Sequence, residues 1–381
     1  MEITNFDQCT GCALCTFVCP VDAIHMSDGQ APGFWYPAVD EEKCICCNRC
    51  VSVCPTNNVV LQEPGEKKFV VAQETDFAAL KRSTSGGAAS ALASEFIKSG
   101  GIAYGAAFGK DMRVTHIRCA TEDDCKRIKG SKYVQSDITD TYSHIKKDLQ
   151  RHTPVLFLGT PCQCAAMRQA FAQNKNFYCC DFICNGVGSP LIFEKHIQWL
   201  ESQYRCKIGS YDFRPKTQKY LEPYEAFCDT AGKLYRLRAP WKKWGSLYYS
   251  ALVLRSSCFA CRYCKEERLG DITFADIPLI LLQKDPIYAP YSILDHGGSL
   301  LSVNSDRGLE LLQKLGNRVY LQEVGTQVMD RPKHIAQDMG EKEDFCLEAG
   351  TSLKKAKYKH LGWKLKLKSY IIEVVEKLKL L

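Results

Sequence analysis

Two cysteine runs near the front of the chain constrain it more than any other feature. They are Cys9-Thr-Gly-Cys12-Ala-Leu-Cys15-Thr-Phe-Val-Cys19-Pro20 and Cys44-Ile-Cys46-Cys47-Asn-Arg-Cys50-Val-Ser-Val-Cys54-Pro55. Both have the spacing C-x2-C-x2-C-x3-C-P, in which three thiolates close on one cubane cluster and the fourth crosses to the other. Crossing predicts Cys9, Cys12, Cys15 and Cys54 on one 4Fe-4S cluster and Cys44, Cys47, Cys50 and Cys19 on a second, with Cys46 spare. Pro20 and Pro55 suit this pattern, because the fixed φ of proline carries the chain away in an extended direction after the last ligand. Zinc is the alternative, but four cysteines in one run, repeated with a following proline, fit separated zinc knuckles poorly. The pattern points to transfer of single electrons.

A chain of 381 residues accommodates one small and one large domain, or three modest ones. Its composition, 45% hydrophobic and 24% charged, is that of a soluble globular protein, and no run of 18 apolar residues suggests a spanning helix. The first cluster cysteine arrives at residue 9 without a basic and then apolar leader, so the expected location is the cytoplasm. In a reducing compartment the 22 cysteines read as thiols and metal ligands rather than disulfides. The formal charge of +7 is carried entirely by residues 351–381, where nine lysines face Glu373 and Glu376. The remainder sums to zero, which argues against a nucleic-acid partner.

Residues 1–62 read as a ferredoxin-like unit with two 4Fe-4S clusters, in which Ala23-Ile24-His25-Met26 and Val59-Val60-Leu61 are candidate strands. Gln62 to Lys68, with Pro64-Gly65 among charges, reads as a linker. From residue 69 to about 335, short apolar runs alternate with amphipathic stretches, as expected of a larger α/β domain. Ile102 to Phe108 and Val155 to Leu158 are the clearest strands, and Ala88 to Lys98 is the clearest helix. The aromatic and turn-rich segment from Tyr211 to Leu254 suggests antiparallel strands or an irregular insertion. The fold class is therefore α/β, with α+β elements. Residues 350–381 place Leu361, Leu365, Ile372, Val375 and Leu378 among lysines at helical spacing. A basic amphipathic helix over 354–381 would lie on an anionic membrane or cover the protein's own core, and both readings remain open.

Ser83-Thr84-Ser85-Gly86-Gly87-Ala88 sets hydroxyls and two glycines ahead of a helix, an arrangement suited to a flavin or nucleotide phosphate, or simply a helix cap. Gly130-Ser131-Lys132-Tyr133-Val134-Gln135-Ser136 offers a cation, a ring and hydrogen-bonding groups of the kind useful around an isoalloxazine. Val155 to Cys164 reads as a buried strand whose tight turn delivers Cys162 to a helix start, where a thiol pKa is expected to fall. Cys184 and Cys258-Phe-Ala-Cys261-Arg-Tyr-Cys264 add two C-x2-C steps sharing Cys261. They imply a third metal site completed by Cys162 and Cys184, with a third 4Fe-4S cluster and zinc as the competing occupants.

At these residues the chain resembles the family of the beta subunit of F-420-reducing hydrogenase and its dehydrogenase relatives. The motifs follow the family order: Thr84-Ser85-Gly86-Gly87, Gly130-Ser131-Lys132-Tyr133-Val134-Gln135-Ser136, Gly159-Thr160-Pro161-Cys162-Gln163, Cys184-Asn185-Gly186, Phe213-Arg214-Pro215-Lys216, Cys258-Phe259-Ala260-Cys261 and Gly270-Asp271-Ile272-Thr273. The resemblance implies a flavin, FAD rather than FMN, beside an iron–sulfur cluster, with Thr84, Ser85, Gly86, Gly87, Lys132, Tyr133, Gln135 and Ser136 as cofactor-binding residues. It also implies two-electron chemistry on a deazaflavin or another substrate, since relatives include a hydroxymethyl chlorophyll reductase and proteins encoded beside polysaccharide-biosynthesis enzymes. Two positions depart from the family pattern: Asn185 replaces a histidine, and Ala275-Asp276-Ile277 replaces Gly-Asp-Phe.

The expectation is a flavin-dependent iron–sulfur oxidoreductase served by a redox protein, either a ferredoxin or a hydrogenase- or dehydrogenase-like subunit. Membrane contact through residues 354–381 is the accompanying possibility. The competing class is an electron-carrying adaptor without a substrate of its own.

Overall fold

Each cysteine run coils into a single helical turn, Leu14–Val18 (α1) and Arg49–Ser52 (α2). Each turn is entered through a left-handed residue, Ala13 at φ 58° and Asn48 at φ 56°. This repeated bend turns the flanking thiols of each run inward. Between them Ile24–Ser27 (β1) pairs antiparallel with Tyr36–Val39 (β2), as expected for Ala23 to Met26. Val59 and Val60 form no strand; their side chains pack instead beside Ala165, Tyr263 and Leu269, while Leu61 lies outside the described residues. This computed structural model describes residues 2–28, 33–60, 67–216, 224–263, 265–277 and 296–325, with Leu353, Lys357 and His360.

The larger part is a mixed α/β assembly. In chain order it contains Lys68–Glu74 (β3), Phe77–Lys81 (α3), Ala88–Lys98 (α4), Ile102–Phe108 (β4), Val114–Cys119 (β5), Glu122–Ile128 (α5), Thr141–Gln150 (α6) and Val155–Gly159 (β6). It continues with Pro161–Phe171 (α7), Phe177–Phe182 (β7), Pro190–Tyr204 (α8), Ile208–Asp212 (β8), Glu225–Asp229 (β9) and Leu234–Leu237 (β10). Gly245–Tyr249 (α9), Ile272–Asp276 (β11), Ser299–Val303 (β12), Asp306–Leu315 (α10) and Val319–Val324 (β13) follow. Eight strands form one sheet in the order β13-β3-β12-β11-β7-β6-β4-β5. Its centre, β11-β7-β6-β4, is parallel, and the remaining pairings are antiparallel. A separate antiparallel sheet, β10-β9-β8, accounts for the aromatic, turn-rich segment.

Period-two alternation along β6 divides the interior. Val155 and Phe157 face a core with Tyr142, Ile145 and Met167 from α6 and α7. Leu156 and Leu158 face a second core with Ala91, Leu92 and Phe96 of α4 and Leu311 of α10. Leu14 of α1 enters the first of these cores, and Phe17 stacks on Tyr142 with ring centroids 5.2 Å apart. The small cysteine-rich unit is thus packed against the α6–α7 face.

Two local devices hold the frame. Gly86 sits where an added Cβ would lie 2.4 Å from the Ala72 oxygen and the Ser299 nitrogen, so glycine there permits backbone approach to β3 and β12. Asp148 accepts two bonds from Arg118, at 2.8 and 2.9 Å, and one from the Tyr104 hydroxyl at 2.6 Å. Burial alone would raise the Asp148 carboxyl, but the guanidinium and hydroxyl outweigh it and hold it below the usual carboxylate range.

The C-terminal helix expected over 350–381 lies outside the described residues except for Leu353, Lys357 and His360. Leu353 joins the core around Trp244, and the buried Lys357 ammonium lies 3.2 Å from His196 Nδ1. No helix among the described residues is long and apolar enough to cross a membrane.

Gly86→Ala is expected to destabilise the protein by roughly 3 kcal/mol or more, because the obstructing atoms are backbone. Asp148→Asn should cost about 2–4 kcal/mol at pH 7. Since the folded-state carboxyl is depressed, the wild-type advantage over Asp148→Asn is full above about pH 4 and shrinks as pH falls further. Chemical denaturation across pH measures both.

Candidate metal centres and the seam that joins them

The small unit encloses two cavities of similar size. One, of about 350 Å³, is lined by Cys9, Cys12, Cys15 and Cys54 with Thr10, Gly11 and Pro55. The other, of about 340 Å³, is lined by Cys19, Cys44, Cys47 and Cys50 with Pro20, Ile24 and Val39. The Cys46 side chain is exposed and lines neither. A single tetrahedral zinc, with Zn–S near 2.3 Å, would draw its sulfurs to within about 4 Å of one another. Among the described residues no three His, Cys, Asp or Glu side chains converge closely enough for a single ion. Four thiols spread around a cavity suit a larger cluster. The buried Thr10 hydroxyl, beside Cys12, has no hydrogen-bond partner at conventional distance, a donor such a cluster would use.

A third set gathers in the large domain by different means. The parallel strands β6 and β7 are neighbours, and the chain leaving their carboxyl ends carries Cys162 and Cys184, at the sheet edge where ligand sites collect in α/β folds. Cys162 is the second residue of α7, whose start is fixed by Pro161 and a reciprocal Thr160–Gln163 cap. Cys258 reaches Cys184 because residues 253–255 run alongside 187–189: Ser189 N donates to Val253 O at 2.8 Å and Arg255 N to Val187 O at 3.1 Å. Gly186, at φ +111°, lies so close that an added Cβ would be 3.4 Å from that of Cys258. Cys261 packs with Cys162 beside Tyr263 and Leu269. Cys264 lies outside the described residues.

The electrostatics correct one expectation. The Cys162 thiol, expected to be acidified by the helix start, is pushed well up by burial and then by Cys261, Cys184 and Cys258. In the first cavity burial likewise pushes Cys12 up to about 12 and raises Cys15. Buried thiols crowded together ionise only when a cation shares their pocket, and a metal cluster is such a cation.

The first cavity is locked to the large domain through Arg255, whose side chain is 1% exposed. Its Nε donates to Cys9 O at 2.7 Å, Nη1 to Gln135 Oε1 at 3.0 Å and Nη2 to Trp35 O at 3.0 Å. Nη2 also lies 3.9 Å from Cys9 Sγ, and the guanidinium stacks 4.2 Å from the Tyr36 ring centroid. Gly11, at φ +65°, makes room: a Cβ there would meet Arg255 Nη1 at 2.6 Å. Gln135 Nε2 donates to Thr10 O at 3.1 Å, the Tyr142 hydroxyl to Cys12 O at 2.8 Å, and the Tyr263 hydroxyl to Pro55 O. The phenol oxygens of Tyr142 and Tyr263 both feel Cys12 and Cys162, so the first and third thiol sets share a boundary.

The other expected cofactor segments are joined as well. Ser131 N donates to Thr84 Oγ1 at 2.8 Å, tying the two hydroxyl-rich loops together. Gly87, at φ +81°, begins α4 without a side-chain cap. Lys132 Nζ donates to Lys129 O at 2.7 Å, and burial of this ammonium pushes it down to about 7. Lys216, from the Phe213-Arg214-Pro215-Lys216 motif, donates to Ser85 O at 2.6 Å and His296 O at 2.7 Å. Tyr133 stacks on Tyr248, centroids 4.7 Å apart, and the Tyr248 hydroxyl donates to Gly186 O at 3.0 Å, linking this region to the third thiol set. Three side chains are committed to the protein: Gln135 to the seam, Ser136 accepting from Gln163 at 3.0 Å, and Ser85 donating to Gly298 O at 2.5 Å.

Sequence reasoning missed Arg255, Tyr142 and Tyr263. Only Arg255 had an available signal, a lone cation three residues before a C-x2-C step in an otherwise apolar stretch.

The geometry defines a two-pocket cysteine domain docked on a mixed α/β domain that carries a third thiol set. Comparison with known proteins agrees. Residues 152–327 match the family model for the C terminus of the coenzyme F420 hydrogenase/dehydrogenase beta subunit, and residues 8–68 match the 4Fe-4S dicluster domain. The F subunit of the F(420)H(2) dehydrogenase of Methanosarcina mazei is 22% identical over 177 residues, 44% of this chain and 49% of that protein. Ferredoxin 7Fe of Hydrogenibacillus schlegelii is 36% identical over 67 residues, 17% of this chain and 78% of that one. A solved chain of the F-420-reducing nickel–iron hydrogenase complex from Methanosarcina barkeri aligns with TM-score 0.46 and 15% identity, covering 80% of this chain and 95% of its own. The chain belongs to the family of coenzyme F-420 hydrogenase/dehydrogenase beta subunits and carries a 4Fe-4S dicluster domain. It spans about half the length of the M. mazei dehydrogenase protein it matches.

Gln135→Ala removes an acceptor from a buried guanidinium and a donor from the residue 10 carbonyl, at an expected cost of roughly 2–3 kcal/mol. Hydrogen exchange should report it as faster opening of residues 9–15 than of β6. Equal loosening of both would show that the seam is not a separate fastening.

Proposed function

We propose that this chain is the iron–sulfur subunit of an oxidoreductase, relaying single electrons between a redox protein and a flavin in its large domain. The observation that carries this reading is the shared boundary between the first and third thiol sets, closed by Tyr142 and Tyr263. In the proposal Cys9, Cys12, Cys15 and Cys54 hold one 4Fe-4S cluster, and Cys19, Cys44, Cys47 and Cys50 a second. Cys162, Cys184, Cys258 and Cys261 hold a third. The domain limits remain those proposed from sequence, 1–62, 69–335 and 350–381.

The second set is nearest solvent, with Cys47 exposed and Ile45 60% exposed, which suits an electron-exchange face for a ferredoxin or a hydrogenase- or dehydrogenase-like partner. For the flavin, FAD before FMN, the side chains left to serve are those of Thr84, Lys132 and Tyr133, with backbone from Gly86 and Gly87. A partly buried ammonium held by neutral carbonyls, Lys132, favours an anionic group beside it, as a flavin phosphate would provide. A flavin accepts electrons singly and passes on a pair as hydride. The substrate class is a deazaflavin, as the names of the relatives suggest, or another small or polysaccharide-pathway compound.

A second reading, an electron-carrying adaptor with no substrate of its own, is favoured by the commitment of Ser85, Gln135 and Ser136 to protein partners.

Anaerobically reconstituted protein is expected to hold about twelve irons per chain, and Cys184→Ser about eight with both ferredoxin-type clusters intact. Flavin absorbance in the same material supports the enzyme; twelve irons without flavin supports the adaptor. Tight zinc and no sulfide contradicts both.

A further inference from the structure

We infer that Arg255 sets the reduction potential of the first cluster, so that docking of the small domain and tuning of its electron site are one interaction. The inference rests on the proposed occupancy of Cys9, Cys12, Cys15 and Cys54. It concerns a residue outside both cysteine runs, contributed by the opposite domain.

Arg255 is among the largest fully buried side chains of the protein, and a guanidinium keeps its charge in any such environment. Its three bonded acceptors are neutral: two backbone carbonyls and the Gln135 amide oxygen. No carboxylate appears among its ion pairs within the described residues, whereas Arg118, Arg168, Arg214, Arg268 and Arg318 each have one. A buried cation held only by dipoles costs folding free energy unless an anion lies close by. The nearest anionic group the site can offer is the thiolate set itself, since Nη2 lies 3.9 Å from Cys9 Sγ.

The sign follows from charge. A 4Fe-4S core with four thiolates is an anion that gains one further negative charge on reduction. A fixed cation and a bond directed at a ligand sulfur stabilise the reduced form more than the oxidised form, and they raise the potential. The stacked Tyr36 ring and the seam exclude water, which keeps the interaction from being screened. The second set has no comparable cation from the large domain: the residues lining it include Arg49 of its own run and none beyond residue 50. Arg255 therefore separates the two potentials of a pair whose cysteine runs are alike, and makes the cluster at the domain boundary the easier to reduce.

The test is a potentiometric titration of the full chain, followed by the electron paramagnetic resonance of each reduced cluster, for wild type, Arg255→Gln and Arg255→Lys. Iron content and the wild-type spectrum first establish that the cluster is present; their failure sinks the functional reading and not the tuning. In Arg255→Gln one midpoint is expected to fall so that, at fixed poise, the reduced-to-oxidised ratio of that cluster drops about tenfold, a shift of about 59 mV, while the other midpoints stay. Arg255→Lys keeps the charge without the planar fork and should fall between the two. If Arg255→Gln does not retain its clusters, Arg255→Lys decides: a lowered midpoint supports the inference, and a wild-type one overturns it. Loaded Arg255→Gln with every midpoint unchanged, or with all shifted equally, overturns it as well.

Discussion

One buried guanidinium closes the seam on which the rest of the molecule depends. Arg255 reaches from the segment ahead of Cys258 into the first cysteine loop, bonds the Cys9 and Trp35 carbonyls, and is steadied by Gln135. The same segment pairs with residues 187–189 and so carries Cys258 to Cys184. The contact that fastens the small domain is thus three residues from a member of the third thiol set. A small domain with little core of its own gains its fixed position from the larger one, through Leu14 and Phe17 as well as through these polar bonds.

That arrangement has an electrostatic consequence. Cys12, Cys15 and Cys162 are all driven toward the neutral thiol by burial and by one another. Folding alone leaves these pockets poorly suited to hold charge, and a metal cluster supplies the positive charge that makes thiolates stable there. Metal loading and final stability should accordingly be coupled, as they are in other proteins whose ligands must be deprotonated.

Much of this was legible in the sequence. The grouping of thiols around two cavities follows from spacing alone, because a single helical turn between left-handed entry residues can aim its cysteines in few directions. Strands such as Ile102 to Phe108 and Val155 to Leu158 were readable because both faces are buried and their apolar runs are unbroken. Val59 and Val60 were misread as a strand, since an apolar pair at a domain boundary packs across the seam as readily as along an edge. Gln135 and Ser136 looked like cofactor contacts because amides and hydroxyls serve seams and ligands alike, and only tertiary placement separates the two. The acidification expected at Cys162 failed for a similar reason: a helix start favours a thiolate only where water or a cation is near.

The account stands on three thiol sets forming one line, with the first set bordering both others. Anomalous diffraction at the iron absorption edge, from crystals grown without oxygen, tests this most directly. It should reveal three compact iron peaks, the middle one enclosed by Cys9, Cys12, Cys15 and Cys54 and flanked by Arg255. Two peaks only, with Cys162, Cys184, Cys258 and Cys261 empty, or a first peak detached from the large domain, would contradict it.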